Sequence, residues 1–197
     1  MDDPLCNVPN ADSTGSVDGA MTDWRTCRAD SAKMRALETA TLYGGDPPLL
    51  MAAMDGRIDS IEWLLEEGMD VNTRGRGGAT ALHTAALTPA GSPALQLLLA
   101  SSADPNSEDE FGFTPLHRLI QSGNVEGATL LLSSGANLTI SAPGEETPLH
   151  LAAYENAREM AQLLLAFGAD PFARNDRGVT SFEVGLFDMS VPPHHMT

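Results

Sequence analysis

The chain repeats one short pattern with a period of about 33 residues. Four copies of an opening stretch start at residues 47, 80, 114 and 147, and a degenerate fifth copy starts at Thr180. A pair of leucines recurs with the same rhythm, at residues 64, 98, 131 and 164. Because two separate landmarks share one period, the sequence predicts a stack of similar units in which each unit contacts its neighbours.

Each unit has the pattern of two short helices followed by an extended loop. Thr-Pro before the first helix supplies a side-chain cap and a proline at a position where its missing N–H costs nothing. Paired alanines let another helix approach closely, and the leucine-bearing second helix ends at a glycine suited to a left-handed cap. Glycines at 78, 112 and 178 then predict a tight turn in an extended finger. Helices this short are marginal alone, so each pair must bury its apolar face against the next copy.

The Thr-Pro-Leu-His motifs at Thr114 and Thr147, together with the period, resemble the ankyrin repeat. The resemblance implies an all-α repeat solenoid, in which each helix-turn-helix is joined to a β-hairpin finger. The predicted repeat domain spans 47–189, with four complete repeats at 47–79, 80–113, 114–146 and 147–179 and a degenerate cap at 180–189. The motif is specific for a fold but not for a function, because one fold serves many partners.

Both ends of the chain differ in composition from the repeats. Residues 1–29 are rich in Asp, Ser, Gly, Asn and Pro without a sustained period, and we expect a flexible acidic arm there. Residues 30–46 carry Met34, Leu37 and Leu42 at helical spacing, which predicts a helix that caps the first repeat. Residues 190–197 are expected to be a short C-terminal tail.

The second and third repeats depart from the pattern. Repeat two has one extra residue between its helices, and Ser102 stands where the other units have a capping glycine, so we expect it to be the softest repeat. Repeat three has Leu119-Ile120 in place of the paired alanines, which requires local repacking. Its finger also lacks a glycine at position 145.

Composition excludes several classes of partner and compartment. The 27 acidic and 11 basic side chains give a formal net charge of -16, which disfavours binding to nucleic acid or to anionic lipid. Cys6 and Cys27 are too few for a disulfide framework, so reduced thiols in the cytoplasm or nucleus are expected. The sequence has no apolar run long enough for a leader or a membrane span, and we expect a monomer without a membrane association.

Three histidines, His83, His117 and His150, are the residues most easily mistaken for ligands or catalysts. Each lies in a different unit, without the spacing of a metal site or a third partner. The resemblance implies instead that each imidazole bonds near its own Thr-Pro turn and ties neighbouring units together. We therefore predict no catalytic residues, no metal and no cofactor, and the chain is not expected to be an enzyme.

The resemblance also suggests one modification. Asn72 follows Asp70-Val71, with Leu64 eight positions upstream, and resembles the ankyrin asparagines that some intracellular hydroxylases modify. Mass spectrometry of the peptide that contains Asn72 tests this prediction.

Family resemblance further implies a concave groove, formed by the finger tips and the solvent side of each first helix, as the surface for a partner. Interfaces depend on a few aromatic or Arg anchors, which favours Phe111, Phe113 and Tyr154, with acidic side chains selecting a basic ligand. Phe111 and Phe113 flank Gly112, and the alternative for both is packing against adjacent fingers. The predicted partner-binding residues are Met54, Asp55, Arg76, Leu87, Glu110, Phe111, Phe113, Gln121, Tyr154 and Glu155.

These observations predict a non-catalytic intracellular module that binds a protein segment with basic and apolar groups in a preformed groove. The closest alternative is a regulatory inhibitor or targeting subunit of an enzyme or transcription factor, acting through the same groove. A more distant alternative is an enzyme with an unrecognised site, which would lose turnover when His117 or His150 is replaced.

Overall fold

The computed structural model describes residues 45–88 and 92–184, and these residues form nine α-helices. The helices are α1 Pro48–Met54, α2 Ile58–Glu66, α3 Ala81–Ala86, α4 Ser92–Ala100, α5 Pro115–Ser122, α6 Val125–Ser133, α7 Pro148–Tyr154, α8 Arg158–Ala166 and α9 Ser181–Val184. The predicted arm at 1–29, most of the predicted capping helix at 30–46, and the predicted tail at 190–197 lie outside the described residues.

The helices stack in two layers. An inner layer is formed by α1, α3, α5, α7 and α9, each packed against the next, and an outer layer by α2, α4, α6 and α8. Each inner helix also packs against the outer helix that follows it in the sequence, from α1 with α2 to α7 with α8. This arrangement confirms the predicted all-α repeat solenoid.

Threonine caps begin the inner helices α3, α5, α7 and α9, whereas α1 follows Pro47 without a side-chain cap. Thr80, Thr114 and Thr147 are N-cap residues in extended conformation, and a histidine three residues later completes a capping box in each case. The short helix α9 uses Glu183 for the same purpose, because its Oε2 accepts from the backbone N–H of Thr180 at 2.8 Å.

The core lies between the two layers. The paired alanines of α1, α3 and α7 are at most 2 % exposed, as are Leu64, Leu98, Leu131 and Leu164 of the outer helices. Trp63 on α2 packs against this core with part of its surface still accessible. The small inner residues therefore allow the close helix approach that the repeat pattern predicts.

Repeat three accommodates its larger inner residues with a matching small one. Leu119 of α5 is fully buried, and Gly127 of α6 lies against it: a Cβ added at Gly127 would be 2.6 Å from Cδ2 of Leu119. Leu119 thus fills the space that a side chain at position 127 would occupy. The predicted local repacking thus consists of a larger residue on α5 and a smaller one on the neighbouring helix α6.

The fingers are tight antiparallel loops without a continuous β-strand in the described residues, and two of them carry an isolated bridge, Ala142–Glu146 and Arg174–Thr180. The first finger closes in a short 3-10 turn, Arg76–Gly78. Each finger has too few residues between its turn and the next threonine cap to build a ladder. One or two backbone hydrogen bonds, such as that from Asp109 N–H to the Phe113 carbonyl at 2.9 Å, close each loop instead.

Candidate functional site

A row of exposed side chains marks the C-terminal ends of the inner helices. Met54, Leu87, Gln121 and Tyr154 occupy equivalent positions in α1, α3, α5 and α7 or directly after them. Met54 is 53 %, Leu87 54 % and Tyr154 45 % exposed, although large apolar side chains are usually buried. We use the name inner surface for this row together with the turns of the neighbouring fingers, at residues 75–79, 109–113, 142–146 and 175–179.

The finger turns carry the second row of the inner surface. Phe111 is 63 % exposed, and the inner edge of its ring lies over Gly77 of the preceding finger, where an added Cβ would be 3.1 Å from Cε2. The backbone N–H of Glu110 donates to the Gly77 carbonyl at 2.8 Å. The N–H of Asp176 donates to the Gly144 carbonyl at 3.0 Å in the same way. Two of the three junctions between consecutive fingers are thus fixed by a backbone hydrogen bond.

One junction between fingers lacks this bond. Pro143 stands at the position equivalent to Glu110 and Asp176, and proline has no N–H to donate. Its ring instead faces Gly112, where an added Cβ would lie 3.6 Å from Cγ and Cδ of Pro143. Apolar contact therefore replaces the hydrogen bond between the second and third fingers.

Phe113 is half-buried and belongs partly to the fold. Its ring packs edge-on against the His117 imidazole, with centroids 6.0 Å apart, and the Arg118 guanidinium lies 4.6 Å from the centroid of the Phe113 ring. These contacts support the alternative that Phe113 packs within the stack. Phe111, in contrast, leaves most of its ring accessible.

An ion pair that the sequence did not reveal organises the second finger. Oδ1 of Asp109 accepts from the N–H groups of Phe111 and Phe113, both at 2.9 Å, and Oδ2 pairs with the Arg118 guanidinium. Burial alone would raise the pKa of Asp109, but the Phe113 N–H, the guanidinium and the Phe111 N–H together hold it below its usual value. Asn175 occupies the equivalent place in the last finger and accepts from Arg177 and Val179, a periodicity that could have indicated both residues.

A second polar cluster lies at the other end of the inner surface. Oε1 of Glu146, which is buried, accepts from the Tyr154 hydroxyl at 2.9 Å, from Asn175 Nδ2 at 3.0 Å and from the Arg177 guanidinium at 2.8 Å. Partial burial and the bond to Glu146 raise the pKa of Tyr154. The Tyr154 hydroxyl is thus engaged within the protein, while its ring remains half-exposed.

The remaining predicted partner-binding residues are exposed on the inner surface. Asp55, Arg76, Glu110, Gln121 and Glu155 all lie there. Oε1 of Gln121 accepts from Arg118 at 3.1 Å, and the backbone N–H of Arg76 donates to a carboxylate oxygen of Asp46 at 2.8 Å. The structure therefore brings the predicted residues to one surface.

Two of the three histidines, His83 and His150, tie neighbouring units together as the resemblance implies. The backbone N–H of Thr80 donates to Nδ1 of His83, which assigns the proton of the neutral ring to Nε2, and Nε2 donates to the Phe113 carbonyl at 2.9 Å. His150 makes the same two contacts, with Thr147 and with the Val179 carbonyl at 3.0 Å. Both ring nitrogens of each residue are thus used in the stack.

His117 differs from the other two histidines. Its Nδ1 accepts from the Thr114 N–H at 2.9 Å, but its buried Nε2 makes no hydrogen bond of normal geometry in the described part of the chain. Burial lowers the pKa of His117 to about 4, against an opposing contribution from the Ile140 carbonyl. Within residues 45–88 and 92–184, no group of three or more His, Cys, Asp or Glu side chains could hold a metal ion.

Asparagines link the loops on the side away from the finger tips. Oδ1 of Asn72 accepts from the Asp104 N–H at 2.8 Å, and Oδ1 of Asn106 accepts from the Asn137 N–H at 2.7 Å. Asn72 thus connects two units through its side chain, and its hydroxylation stays a prediction. None of the helices in the described ranges has the length and apolar character needed to cross a membrane.

Comparison with known proteins agrees with this architecture. A sequence model of ankyrin repeats (three copies) matches residues 27–109 and 89–175. The chain is 36 % identical over 135 residues to ankyrin repeat and SOCS box protein 16 of Homo sapiens, covering 68 % of this chain and 29 % of that protein. It is 32 % identical over 142 residues to SH3 and multiple ankyrin repeat domains protein 2 of Homo sapiens, covering 71 % of this chain and 8 % of that protein.

A third relative is matched over nearly its whole length. The chain is 30 % identical over 128 residues to cyclin-dependent kinase 4 inhibitor B of Bos taurus, covering 64 % of this chain and 96 % of that protein. The aligned part of this chain covers less than a third of the length of each of the two human relatives. The repeat period, the two-layer stack and the match of the family model lead to one conclusion: this chain belongs to the ankyrin repeat family.

Proposed function

We propose that this protein is a non-catalytic interaction module that binds a partner protein through its inner surface. The observation that carries the proposal is the row of exposed apolar side chains at equivalent positions, Met54, Leu87 and Tyr154, with Phe111 beside them. Exposed apolar side chains that recur in register along one surface offer area that a partner can bury, and such surfaces mark interaction sites. Ankyrin repeats are protein-interaction modules, and solenoid stacks present extended binding surfaces of this kind.

The rigidity of the inner surface supports the proposal. The backbone bonds from Glu110 to Gly77 and from Asp176 to Gly144 fix the finger turns, and the Asp109–Arg118 pair joins the second finger to α5. A surface that is ordered before binding loses little conformational entropy when a partner arrives. Less of the favourable contact energy with the partner is then offset by the ordering of the inner surface, so the affinity is higher.

The charge of the inner surface favours a partner with basic and apolar groups. Glu110 and Glu155 are exposed there, and the whole chain carries a formal net charge of -16. Such a field attracts cationic segments and repels nucleic acid.

Quantitative co-purification from the native cell extract tests the proposal. The variant Met54→Ser/Leu87→Ser/Phe111→Ser removes three exposed apolar side chains, and we expect it to lose one or more partners that the wild-type chain retains. The matched control is Phe167→Ser/Phe172→Ser, which removes two exposed aromatic side chains at the end of α8 and in the loop after it. Equal retention by all three proteins, at unchanged helicity, would contradict the proposal. Phe113 is left intact because its ring contacts His117 and Arg118.

A second candidate function is inhibition of the bound partner. The match to cyclin-dependent kinase 4 inhibitor B favours it, because the alignment includes 96 % of that protein. An inhibitor lowers the activity of its partner in proportion to the fraction bound, whereas an adaptor leaves that activity unchanged. Assaying the purified partner with and without this chain separates the two.

A further inference from the structure

Apolar and charged groups are unevenly distributed along the inner surface. The three exposed apolar side chains of its N-terminal half, Met54, Leu87 and Phe111, come from α1, the end of α3 and the second finger. The Asp109–Arg118 pair in this half is internally neutral, and Arg76 opposes Asp55, Glu110 and Asp46, whose carboxylate accepts from the Arg76 N–H, so two net negative charges remain. This half therefore offers most of the exposed apolar area to a ligand.

The C-terminal half carries more net negative charge and less apolar area. Glu145 and Asp176 in the finger turns and Glu155 at the end of α7 are all exposed. The basic side chain in these turns, Arg177, pairs with Glu146 at 2.8 Å and with Asp176 at 4.0 Å, so its single positive charge leaves three net negative charges among the four carboxylates. Tyr154 adds a ring face, but its hydroxyl is bound to Glu146.

The boundary between the halves lies in repeat three. Gln121 replaces an apolar residue in the helix row, and Pro143 replaces a charged residue in the finger row. Both substitutions interrupt the pattern at the same unit, so the two halves are separate along the stack as well as different in chemistry.

We infer that the partner is a bipartite protein segment, with an apolar block on the N-terminal half of the inner surface and a separate Lys/Arg block on the C-terminal half. This inference rests on the proposed function, since it describes the ligand of the same surface. The apolar block gains affinity by leaving water, while the exposed carboxylates mainly set specificity and association rate. Because exposed charges are screened by salt, only the second contribution falls as ionic strength rises.

The spacing of the inner helices sets the distance between the blocks. Packed helices lie roughly 8–10 Å apart, so Met54 and Tyr154, three helices apart, are separated by about 25–30 Å. An extended segment covers that distance with about eight or nine residues. The centres of the two blocks are then roughly five residues apart in an extended ligand.

Selection of displayed random 16-residue peptides on the immobilised full chain tests the inference. We expect the enriched peptides to carry an apolar block and a Lys/Arg block at a fixed separation. The most enriched peptide is then synthesised with an isomer of the same composition in which the two blocks are interleaved, and both affinities are measured at two salt concentrations. We expect the isomer to bind about tenfold more weakly, because it cannot place each block on its matching half of the inner surface at the same time.

Two variants separate the possible failures. Glu145→Gln/Glu155→Gln/Asp176→Asn keeps side-chain size and is expected to weaken binding of the selected peptide about tenfold at low salt and to reduce the salt dependence of that binding. Met54→Ser/Leu87→Ser is expected to weaken it at both salt concentrations. If only the serine variant has an effect and the interleaved isomer binds equally well, the bipartite ligand is wrong while the proposed function stands. If no peptide is enriched that either variant loses, the inner surface is not the binding surface and both proposals fail.

Discussion

Ser102 adopts a backbone conformation that the other repeats assign to glycine. It has φ +67° after α4, while Gly135 and Gly168 have φ +91° and +93° at the equivalent places after α6 and α8. A side chain in the left-handed region costs roughly 1 kcal/mol, and Ser102 is exposed, so its hydroxyl has little burial to compensate. The stacking of the repeat imposes the conformation against the preference of the residue.

Replacing Ser102 by glycine is therefore expected to stabilise the protein. The gain should be about 1 kcal/mol, or a rise in Tm of roughly 2–4 °C, because the left-handed strain is removed. The matched control is Gly135→Ser, which introduces the same strain one repeat later, where an added Cβ meets no atom within 4 Å. Thermal unfolding followed by circular dichroism measures both, and a fall in Tm for Ser102→Gly would contradict the account of this position.

His117 gives the stability a pH dependence. Its pKa is lowered from 6.5 to about 4 by burial, so in the window from pH 6.5 down to 4 the unfolded chain binds a proton that the folded chain does not. The free energy of unfolding must fall as the pH falls through that window. His117→Gln keeps a hydrogen-bond acceptor three residues after the Thr114 cap and removes the titration.

We expect the wild type to lose about 2.5 kcal/mol more than His117→Gln between pH 7.5 and 4.5. Urea unfolding at a series of pH values measures the difference. The variant retains some dependence, since burial also lowers the pKa of His83. Parallel stability curves for the two proteins would show that His117 is not held neutral by the stack.

At the scale of helices, a large side chain on α5 packs into the space left by a glycine on α6. Leu119 is larger than the alanines at the equivalent positions of α1, α3 and α7, and Gly127 on α6 supplies the space. Glycine is a poor helix former, so its place inside α6 is explained by this contact and by that with Cδ1 of Leu95, 3.0 Å from an added Cβ.

Gly127→Ala is expected to destabilise the protein by roughly 1–3 kcal/mol, even though alanine favours helix. The cause is the clash of the new Cβ with Leu119. In a Leu119→Ala background the same substitution should become neutral or stabilising, which a double-mutant cycle by chemical denaturation detects. A stabilising effect of Gly127→Ala in the wild-type background would mean that the two helices are not in close contact.

At the scale of the whole molecule, the net charge destabilises the compact folded state. The excess acidic side chains, with a formal net charge of -16, repel one another over long distances. Ion pairs such as Arg118–Asp109 and Arg177–Glu146, in contrast, attract over short distances. Salt screens the long-range repulsion more than these short contacts. We expect Tm to rise as sodium chloride increases from about 10 to 150 mM.

The triple variant Glu145→Gln/Glu155→Gln/Asp176→Asn should show a smaller rise in Tm, because three of the repelling charges are gone. Differential scanning calorimetry at matched pH makes the comparison. A Tm that falls with salt would indicate that attractive ion pairs outweigh the repulsion.

How much the sequence predicts also depends on scale. The helices and the threonine caps followed from the repeat pattern, whereas the histidine ties, found at His83 and His150, were implied by the family resemblance. The Asp109–Arg118 pair and the Glu146 cluster did not, because their partners lie on neighbouring elements that only the stacking brings together. The bonds that close each finger, such as the antiparallel bridge Ala142–Glu146, also depend on the structure for their detail.

Site-specific photo-crosslinking in native cells shows whether partners meet the inner surface. A photoreactive phenylalanine analogue is placed at Leu87 or Phe111 on the inner surface, and at Phe172, which is 76 % exposed in the loop after α8, as a control. We expect the analogue at Leu87 and the analogue at Phe111 to form a covalent adduct with the same partner protein, and the analogue at Phe172 to form none. Adducts from Phe172 alone would place the binding surface elsewhere on the stack and contradict the account.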